Sequence, residues 1–336
     1  MAMQLRLEFQ RSAVADEVAA ITAVVRPVLV GLLHSLKREV VNEAGGLENV
    51  KLKMLSRLYR PGDGDCGLCF EYAVHDAMNR GEATVLERLI GALKHCKIRG
   101  KQTASILFGA EKSGGLRLID TARDRLTDDS RILVGLRGQP PKLKQHLKTA
   151  LEAMRKQEAR ELLPWSIRGI WKADLFVGCT DTDRWVATTV KINPAALEAA
   201  PGLRIGVVPN REGATDIIRR DDSRNLIICP IPHDYAFMQV FYEGWVVARQ
   251  FLHADAQMPG EAFLPRPPER QVARYLEDRR DFPVVDVIAA LGPLAQPELL
   301  DSTQRDASVI DAPVAGTELG GGETGVLEAP MPRITQ

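Results

Sequence analysis

The chain lacks the features that mark several large classes of protein. Its 336 residues carry 44 Lys and Arg against 44 Asp and Glu, so the formal net charge is zero. A uniformly basic, histone-like binder is therefore excluded, although charge can still be segregated along the chain. Hydrophobic residues at 45% and charged residues at 26% are ordinary values. They exclude wholesale disorder, a collagen-like chain and a coiled-coil rod.

Cysteines are few and odd in number. Five in a chain of this length argue against the disulfide framework of a secreted protein. The N-terminus also lacks a signal-peptide layout, because no apolar run follows its first basic residues. The most apolar stretch, residues 19–36, is interrupted by Arg26, Pro27 and His34. It predicts a buried helical pair kinked at Pro27 rather than a membrane span. We therefore expect a cytoplasmic protein.

Most short catalytic motifs are missing as well. The sequence has no GxxxxGK[ST], no GxGxxG after a strand, no HExxH and no GxSxG. Cys66 and Cys69 form a CxxC pair without a second pair, which leaves structural zinc without support. Kinase, Rossmann, zincin and α/β-hydrolase functions therefore have no support in the sequence.

What is present divides the chain into three parts. Residues 1–58 predict an N-terminal helical region. Residues 59–265 mix helical and strand patterns, with a basic helical insertion at about 84–163. Residues 266–336 are rich in Pro and Gly and acidic towards the end, which predicts a largely disordered tail. The fold class expected is α/β, with a mixed β-sheet flanked by helices.

The strands are predicted after the insertion. Residues 166–178 and 184–193 alternate or are rich in β-branched residues, and the short segment 179–183 joins them as a hairpin. Continuous apolar runs at 203–209 and 225–232 predict buried central strands. An aromatic-rich helix is expected over 233–252.

Three ionisable residues occupy unusual places in this pattern. Glu71 lies on the helix that follows the turn-rich loop 59–67, and Asp174 lies where the first hairpin strand ends. Lys191 lies inside the second hairpin strand, between two apolar residues. Burying an unpaired charge is costly. The carboxylate of Asp174 and the ammonium of Lys191 are therefore expected to converge in one pocket.

This arrangement resembles the PD-(D/E)xK, or restriction-endonuclease-like, nuclease superfamily over residues 66–232. In that family a helix carries a Glu, and a β-hairpin supplies an Asp and then a Glu-x-Lys triplet. The resemblance implies a restriction-endonuclease-like sheet in which Glu71 and Asp174 hold Mg²⁺ with the backbone carbonyl of Val190. It also implies that Lys191 is the catalytic lysine.

One position departs from the family pattern. Thr189 stands where the triplet has its acid, and a hydroxyl is a weaker, neutral ligand for a hard cation. Either Glu71, Asp181 or Asp183 supplies the missing charge, or the site is degenerate.

The function implied is Mg²⁺-dependent hydrolysis of DNA phosphodiester bonds, with a role in restriction or phage defence. Basic residues of the insertion are expected to contact phosphates. Only one aromatic residue, Phe108, lies in 84–160, which favours a duplex over a stacked single strand. A homodimer stays open. The expected DNA contacts are Lys94, Lys97, Arg99, Lys101, Lys142, Lys144 and Lys148.

Two other classes of function also stay open. The loop before Cys66 is similar to the Asp-Gly-x-Cys element of ovarian-tumour-type deubiquitinases, in which a cysteine at a helix N-terminus is the nucleophile. His233 would then be the base of a cysteine peptidase, oriented by Asp234 or another carboxylate. The third class is a non-catalytic scaffold with a degenerate nuclease fold.

Overall fold

The computed structural model divides into two compact units. Unit 1 comprises residues 1–62 and 233–336, and unit 2 comprises residues 63–232. The structure describes 16–36, 38–59, 66–108, 116–133, 140–163, 170, 172–192, 202–209, 217–233, 235–258 and 263–295.

The described residues form helices and strands in alternation. The helices are α1 (Asp16–His34), α2 (Arg38–Ala44), α3 (Cys66–Arg80), α4 (Ala83–His95), α5 (Leu116–Arg125), α6 (Leu147–Arg155), α7 (Tyr235–His253), α8 (Pro267–Glu277) and α9 (Val284–Leu291). The strands are β1 (Thr103–Leu107), β2 (Arg131–Leu133), β3 (Leu175–Cys179), β4 (Arg184–Lys191), β5 (Gly202–Pro209), β6 (Arg219–Asp221) and β7 (Leu226–His233). Short 3₁₀ helices cover Leu47–Asn49, Leu52–Leu58, Leu143–His146 and Gln157–Arg160.

Unit 2 is built around a mixed seven-stranded sheet, which confirms the predicted α/β class. The strand order is β1-β3-β4-β5-β7-β6, with β2 also paired to β4. β1, β3 and β4 are antiparallel neighbours, whereas β4 pairs in parallel with β2 at its start and with β5 at its end. β4 is therefore a central strand, and most of its residues are buried.

The two faces of this sheet are covered by different parts of the chain. The register aligns Ile106 with Phe176 and Phe176 with Ala187, so these side chains share one face. They pack with α5, α6 and Trp185 in one apolar cluster. The insertion was expected to be a basic helical excursion. It contributes the edge strand β1, the short strand β2 and the core that covers this face.

Unit 1 has a core of helices. α1 packs against α7, α8 and α9, and its side chains are buried on nearly every side. α1 and α7 approach closely at Gly244 of α7, where an added Cβ would lie 2.5 Å from Cβ of Val24. Only glycine allows the two helices to pack this closely.

Charge is buried in unit 1 around Arg266, at the residue before α8. Its side chain forms ion pairs with Glu17 and Glu243, and its backbone amide donates to Oε2 of Glu269 at 2.8 Å. All three glutamates are buried. Oε2 of Glu243 has no hydrogen-bond partner within the described part of the chain. One arginine therefore ties α1, α7 and α8 together.

Several boundaries differ from the sequence-based expectations. α1 is one continuous helix with Pro27 inside it, not a helical pair. Residues 266–295, expected within the tail, contain α8 and α9 because Pro267 and Pro268 start a helix rather than prevent one. β3 begins at Leu175 rather than near 166. Residues 296–336 lie outside the described residues.

Helix α1 is also relevant to the question of a membrane. Among the described residues, its Glu17–His34 window is the one segment long and apolar enough to cross a bilayer. In the structure 78% of that window is buried. This is the environment of a core helix, so no membrane span is indicated and the fold is compatible with a soluble protein.

Candidate functional site

Asp174 lies where β3 and β4 separate. Its backbone amide donates to the carbonyl of Thr188, and its carbonyl accepts from the amide of Phe108, both at 2.9 Å. Its carboxylate oxygen Oδ2 accepts from the amide of Val190, also at 2.9 Å. The side chain thus takes the place of the next ladder hydrogen bond. Asp174 is buried, at 4% exposure.

Lys191, the last residue of β4, comes close to this carboxylate. Its Nζ lies 3.8 Å from Oδ2 of Asp174, and 32% of its side chain is exposed. The structure therefore brings together the two residues that the hairpin pattern singled out. The ammonium remains open to solvent on one side, while the carboxylate is held inside the sheet.

Two neighbouring residues complete the hairpin end. The hydroxyl of Thr189 donates to the carbonyl of Lys172 at 3.0 Å, so its proton is committed to the backbone. Val190 points its amide at Asp174. The amide and carbonyl of a strand residue point to the same side. The carbonyl of Val190 therefore also faces the side on which β3 has ended.

Arg204 is a site residue that sequence reasoning missed. It lies on β5, opposite Thr189 in the parallel register, and only 3% of it is exposed. Burial lowers the pKa of its guanidinium, and attraction by Asp174 opposes that shift. The only sequence signal was an arginine inside an apolar run at 203–209. No sequence pattern indicates which strand this run pairs with, or which residue lies opposite the arginine.

Glu71 is buried on α3, at 2% exposure, and α3 packs against β1 and β4. Polar contacts fix this helix to β1 one turn after Glu71. Nδ1 of His75 lies 3.1 Å from Oγ of Ser105, and Nε2 lies 3.0 Å from the amide nitrogen of Asn79.

The two aspartates offered as substitutes for the missing acid lie at the other end of the hairpin. The carboxylate of Asp181 accepts hydrogen bonds from the backbone amides of Lys101 and Gln102. The bond from Lys101 makes the largest contribution to lowering the pKa of Asp181. Burial works to raise the pKa of Asp183, but hydrogen bonds from Ser130, Thr127 and Trp185 outweigh it. Five residues of β3 separate this turn from Asp174, roughly 17 Å at the usual rise. Neither aspartate supplies charge to the site.

The basic residues expected to bind DNA fall into two groups. Lys94, Lys97, Arg99 and Lys101 are exposed at the end of α4 and in the connection to β1. Lys142 and Lys144 are paired instead with Asp129 and Asp128, at 2.7 and 3.3 Å. The side chain of Lys148 lies outside the described residues.

For Cys66 and His233, the two residues of the peptidase alternative, the structure describes the backbone but not the side chains. Cys66 is the first residue of α3, at a helix N-terminus as predicted. His233 is the last residue of β7, not the first residue of a helix, because α7 begins at Tyr235. The side chains of both, and all of Asp234, lie outside the described residues.

Comparisons with protein-family models, with curated proteins and with solved structures give no significant match. Function must therefore be inferred from the side chains themselves.

The donor set at the hairpin end limits how a metal can bind. Within the described parts of the chain, no group of three or more His, Cys, Asp or Glu side chains could hold an ion. A protein-only cage is therefore not formed there. Mg²⁺ commonly uses one or two carboxylates and takes its other ligands from water and substrate phosphates. Asp174 and the Val190 carbonyl, which face the same side of β4, fit that mode of binding.

Proposed function

We propose that unit 2 is a Mg²⁺-dependent nuclease of the PD-(D/E)xK type that hydrolyses duplex DNA in the cytoplasm, in restriction or phage defence. The observation that carries this proposal is the approach of the Lys191 ammonium to the Asp174 carboxylate, 3.8 Å apart at the open end of a hairpin. A buried carboxylate beside a partly exposed ammonium group is suited to chemistry on an anionic substrate.

The order of elements supports the proposal. A helix with a buried glutamate, α3, is followed by β1 and then by the antiparallel pair β3 and β4. Asp174 directly precedes β3 and Lys191 ends β4, so one hairpin carries both groups. This is the order that the family resemblance implies.

Each residue has a defined task in this proposal. Asp174, the carbonyl of Val190 and Glu71 would hold Mg²⁺. When bound, this ion polarises a phosphoryl oxygen and lowers the pKa of a coordinated water. Lys191 orients the attacking water and stabilises negative charge that develops on the phosphate. The hydrogen bond from the Val190 amide holds the Asp174 carboxylate in position.

The basic loop gives the substrate a second point of attachment. Residues 94–101 approach the closed end of the hairpin, because Asp181 holds the amide of Lys101. Roughly 17 Å of strand separates that end from Asp174, which is about five phosphates along one DNA strand at 3.4 Å each. A duplex that runs along the hairpin would contact both ends.

A second candidate function is a nucleic-acid-binding scaffold. The observation that favours it is the charge of the hairpin end. Thr189 replaces an acid, and Arg204 adds a cation beside Asp174. Asp174, Lys191 and Arg204 together carry a net positive charge. This group of side chains therefore attracts a phosphate more strongly than it attracts a divalent cation.

Cleavage of a linear DNA duplex by the full chain, with Mg²⁺ or with EDTA, tests the proposal. We expect Mg²⁺-dependent cleavage that falls at least about 100-fold in Lys191→Ala, the usual cost of losing a charge-stabilising group. Lys53→Ala is the matched control, since it removes a half-exposed surface lysine of unit 1.

The other functions predict different results. Duplex binding without cleavage, unchanged by EDTA, would exclude the nuclease and favour the scaffold. Hydrolysis of a peptide substrate that Cys66→Ala abolishes, with DNA left intact, would favour the peptidase. Lys191→Ala with full cleavage activity would exclude the site proposed here.

A further inference from the structure

Arg204 is a buried cation with unused hydrogen-bonding capacity. A guanidinium carries five N–H donors. Among the residues that the structure describes, none forms a hydrogen bond or ion pair with it, and Asp174 is the charged group that influences it. Burying such a group is costly unless something pairs with it.

The sheet directs Arg204 towards the candidate site. Thr189 and Arg204 are paired across β4 and β5, so their side chains share a face. Lys191 lies two residues further along β4 and therefore on that same face. Asp174 approaches from the opposite edge of β4. Arg204 and Lys191 thus approach the Asp174 carboxylate from two strands.

The chemistry of these groups identifies the class of ligand. Asp174 gives one of its oxygens to the Val190 amide and lies 3.8 Å from Lys191. It cannot satisfy a fork of parallel N–H donors as well. A phosphate group has the geometry and charge for bidentate binding by arginine.

We propose that Arg204 binds a phosphate of the nucleic acid directly, so that Arg204 and Lys191 hold substrate phosphate even without a metal ion. This inference rests on the proposed function, because it assigns the nucleic-acid phosphodiester to the same site. It adds a substrate-binding residue outside the family triplet, and it requires no bond to be broken.

Isothermal titration calorimetry in EDTA tests the proposal, with a 5′-phosphorylated thymidine dinucleotide as the probe. We expect the affinity to fall at least about tenfold in Arg204→Gln, the usual cost of losing a hydrogen bond to a charged group. Arg204→Lys should retain part of the affinity, because it keeps the charge without the fork. Arg184→Gln is the matched control, because Arg184 is an exposed arginine at the closed end of the hairpin; its affinity should stay within about twofold of wild type.

Two readouts separate this inference from the nuclease proposal. If the chain never cleaves DNA but Arg204→Gln still loses probe affinity, the nuclease fails and the phosphate contact stands. If Arg204→Gln melts earlier yet binds the probe like wild type, Arg204 is structural only and the inference is overturned. Wild-type chain that does not bind the probe in EDTA would also overturn it. Should Arg204→Gln fail to fold, Arg204→Lys with wild-type affinity would count against the inference, since a lysine cannot reproduce a bidentate contact.

Discussion

Both units bury charge, in opposite arrangements. In unit 1 the guanidinium of Arg266 pairs directly with the buried Glu17 and Glu243, and its backbone amide bonds to the buried Glu269. In unit 2 the buried Asp174 has two cations near it, but the Lys191 contact is 3.8 Å long and the Arg204 guanidinium is not bonded to it.

The difference separates a structural network from a candidate binding site. The guanidinium of Arg266 donates to glutamates of the protein itself. The network therefore holds helices together and leaves few donors for a ligand. The donors of Arg204 are not used by the described residues, and the Lys191 ammonium is partly exposed. Unsatisfied buried charge is tolerated mainly where function requires it.

The largest effect is expected from Arg266→Ala. The change leaves the buried carboxylates of Glu17 and Glu243 without their cation, and breaking a buried ion pair costs about 3–5 kcal/mol. Hydrogen exchange of α7 and α8 in increasing urea should report this loss as earlier opening of unit 1. Arg204→Gln should cost unit 2 less than about 1 kcal/mol, since it breaks no bond among the described residues. Equal losses in the two units would contradict the comparison.

Asp174→Asn should change catalysis and binding in opposite directions. Loss of the carboxylate should lower Mg²⁺-dependent cleavage at least about 100-fold. The affinity for the dinucleotide in EDTA should rise up to about tenfold, because a negative charge near the phosphate is removed. Cleavage assays and calorimetry measure the two effects. A simultaneous loss of both would mean that Asp174 mainly maintains the hairpin.

The basic residues should separate into a strong and a weak group in salt titrations. Replacing Lys94, Lys97, Arg99 and Lys101 with glutamine should reduce the slope of log affinity against log salt for duplex DNA by up to about 3–4. Lys142→Gln with Lys144→Gln should reduce it by less than about 1, because Asp128 and Asp129 already pair with these lysines. Similar slopes for the two variants would place DNA elsewhere.

The smallest effect is a pH dependence that has opposite signs at Glu269 of unit 1 and at two aspartates of unit 2. Burial raises the pKa of Glu269 and Glu243 adds to the shift, while the Arg266 amide opposes it. A raised carboxyl pKa makes stability fall as pH rises from about 4.5 through the folded-state value. Glu269→Gln should therefore stabilise unit 1 slightly at neutral pH and have no effect below about pH 4.5.

At Asp181 and Asp183 of unit 2 the sign is reversed. Hydrogen bonds from the backbone of Lys101 and from Ser130 lower the pKa of Asp181 and Asp183 respectively. Their contribution is present above about pH 3.8 and is lost as pH falls through the folded-state values. Thermal melts of the wild type and Glu269→Gln between pH 3 and 7 measure both trends. A Glu269→Gln variant that is less stable at pH 7 would contradict the first.

The local part of the site was predictable from the sequence, and the long-range part was not. Alternation within a single hairpin is a local pattern, so Asp174 and Lys191 could be paired from residue order alone. Arg204 reaches the site through a parallel pairing across a crossover, and sequence patterns do not encode that register.

The fold shows the same division. β1 was missed because its five residues lie in a stretch interpreted as basic and helical, although they pair with β3 some seventy residues later. Unit 1 combines segments from the two halves of the chain, and the Pro-rich start of α8 suggested a tail. Only the packing of that segment against α1 and α7 makes it part of a core.

The hydrogen bond between the Phe108 amide and the Asp174 carbonyl has a consequence for engineering. It brings the two ends of residues 109–173 to adjacent points of the sheet, which is the geometry of a replaceable module. A short connection could join the two strands, but it would also strip the cover from Phe176 and Trp185. A transplanted or redesigned module would succeed only if it brought its own apolar face.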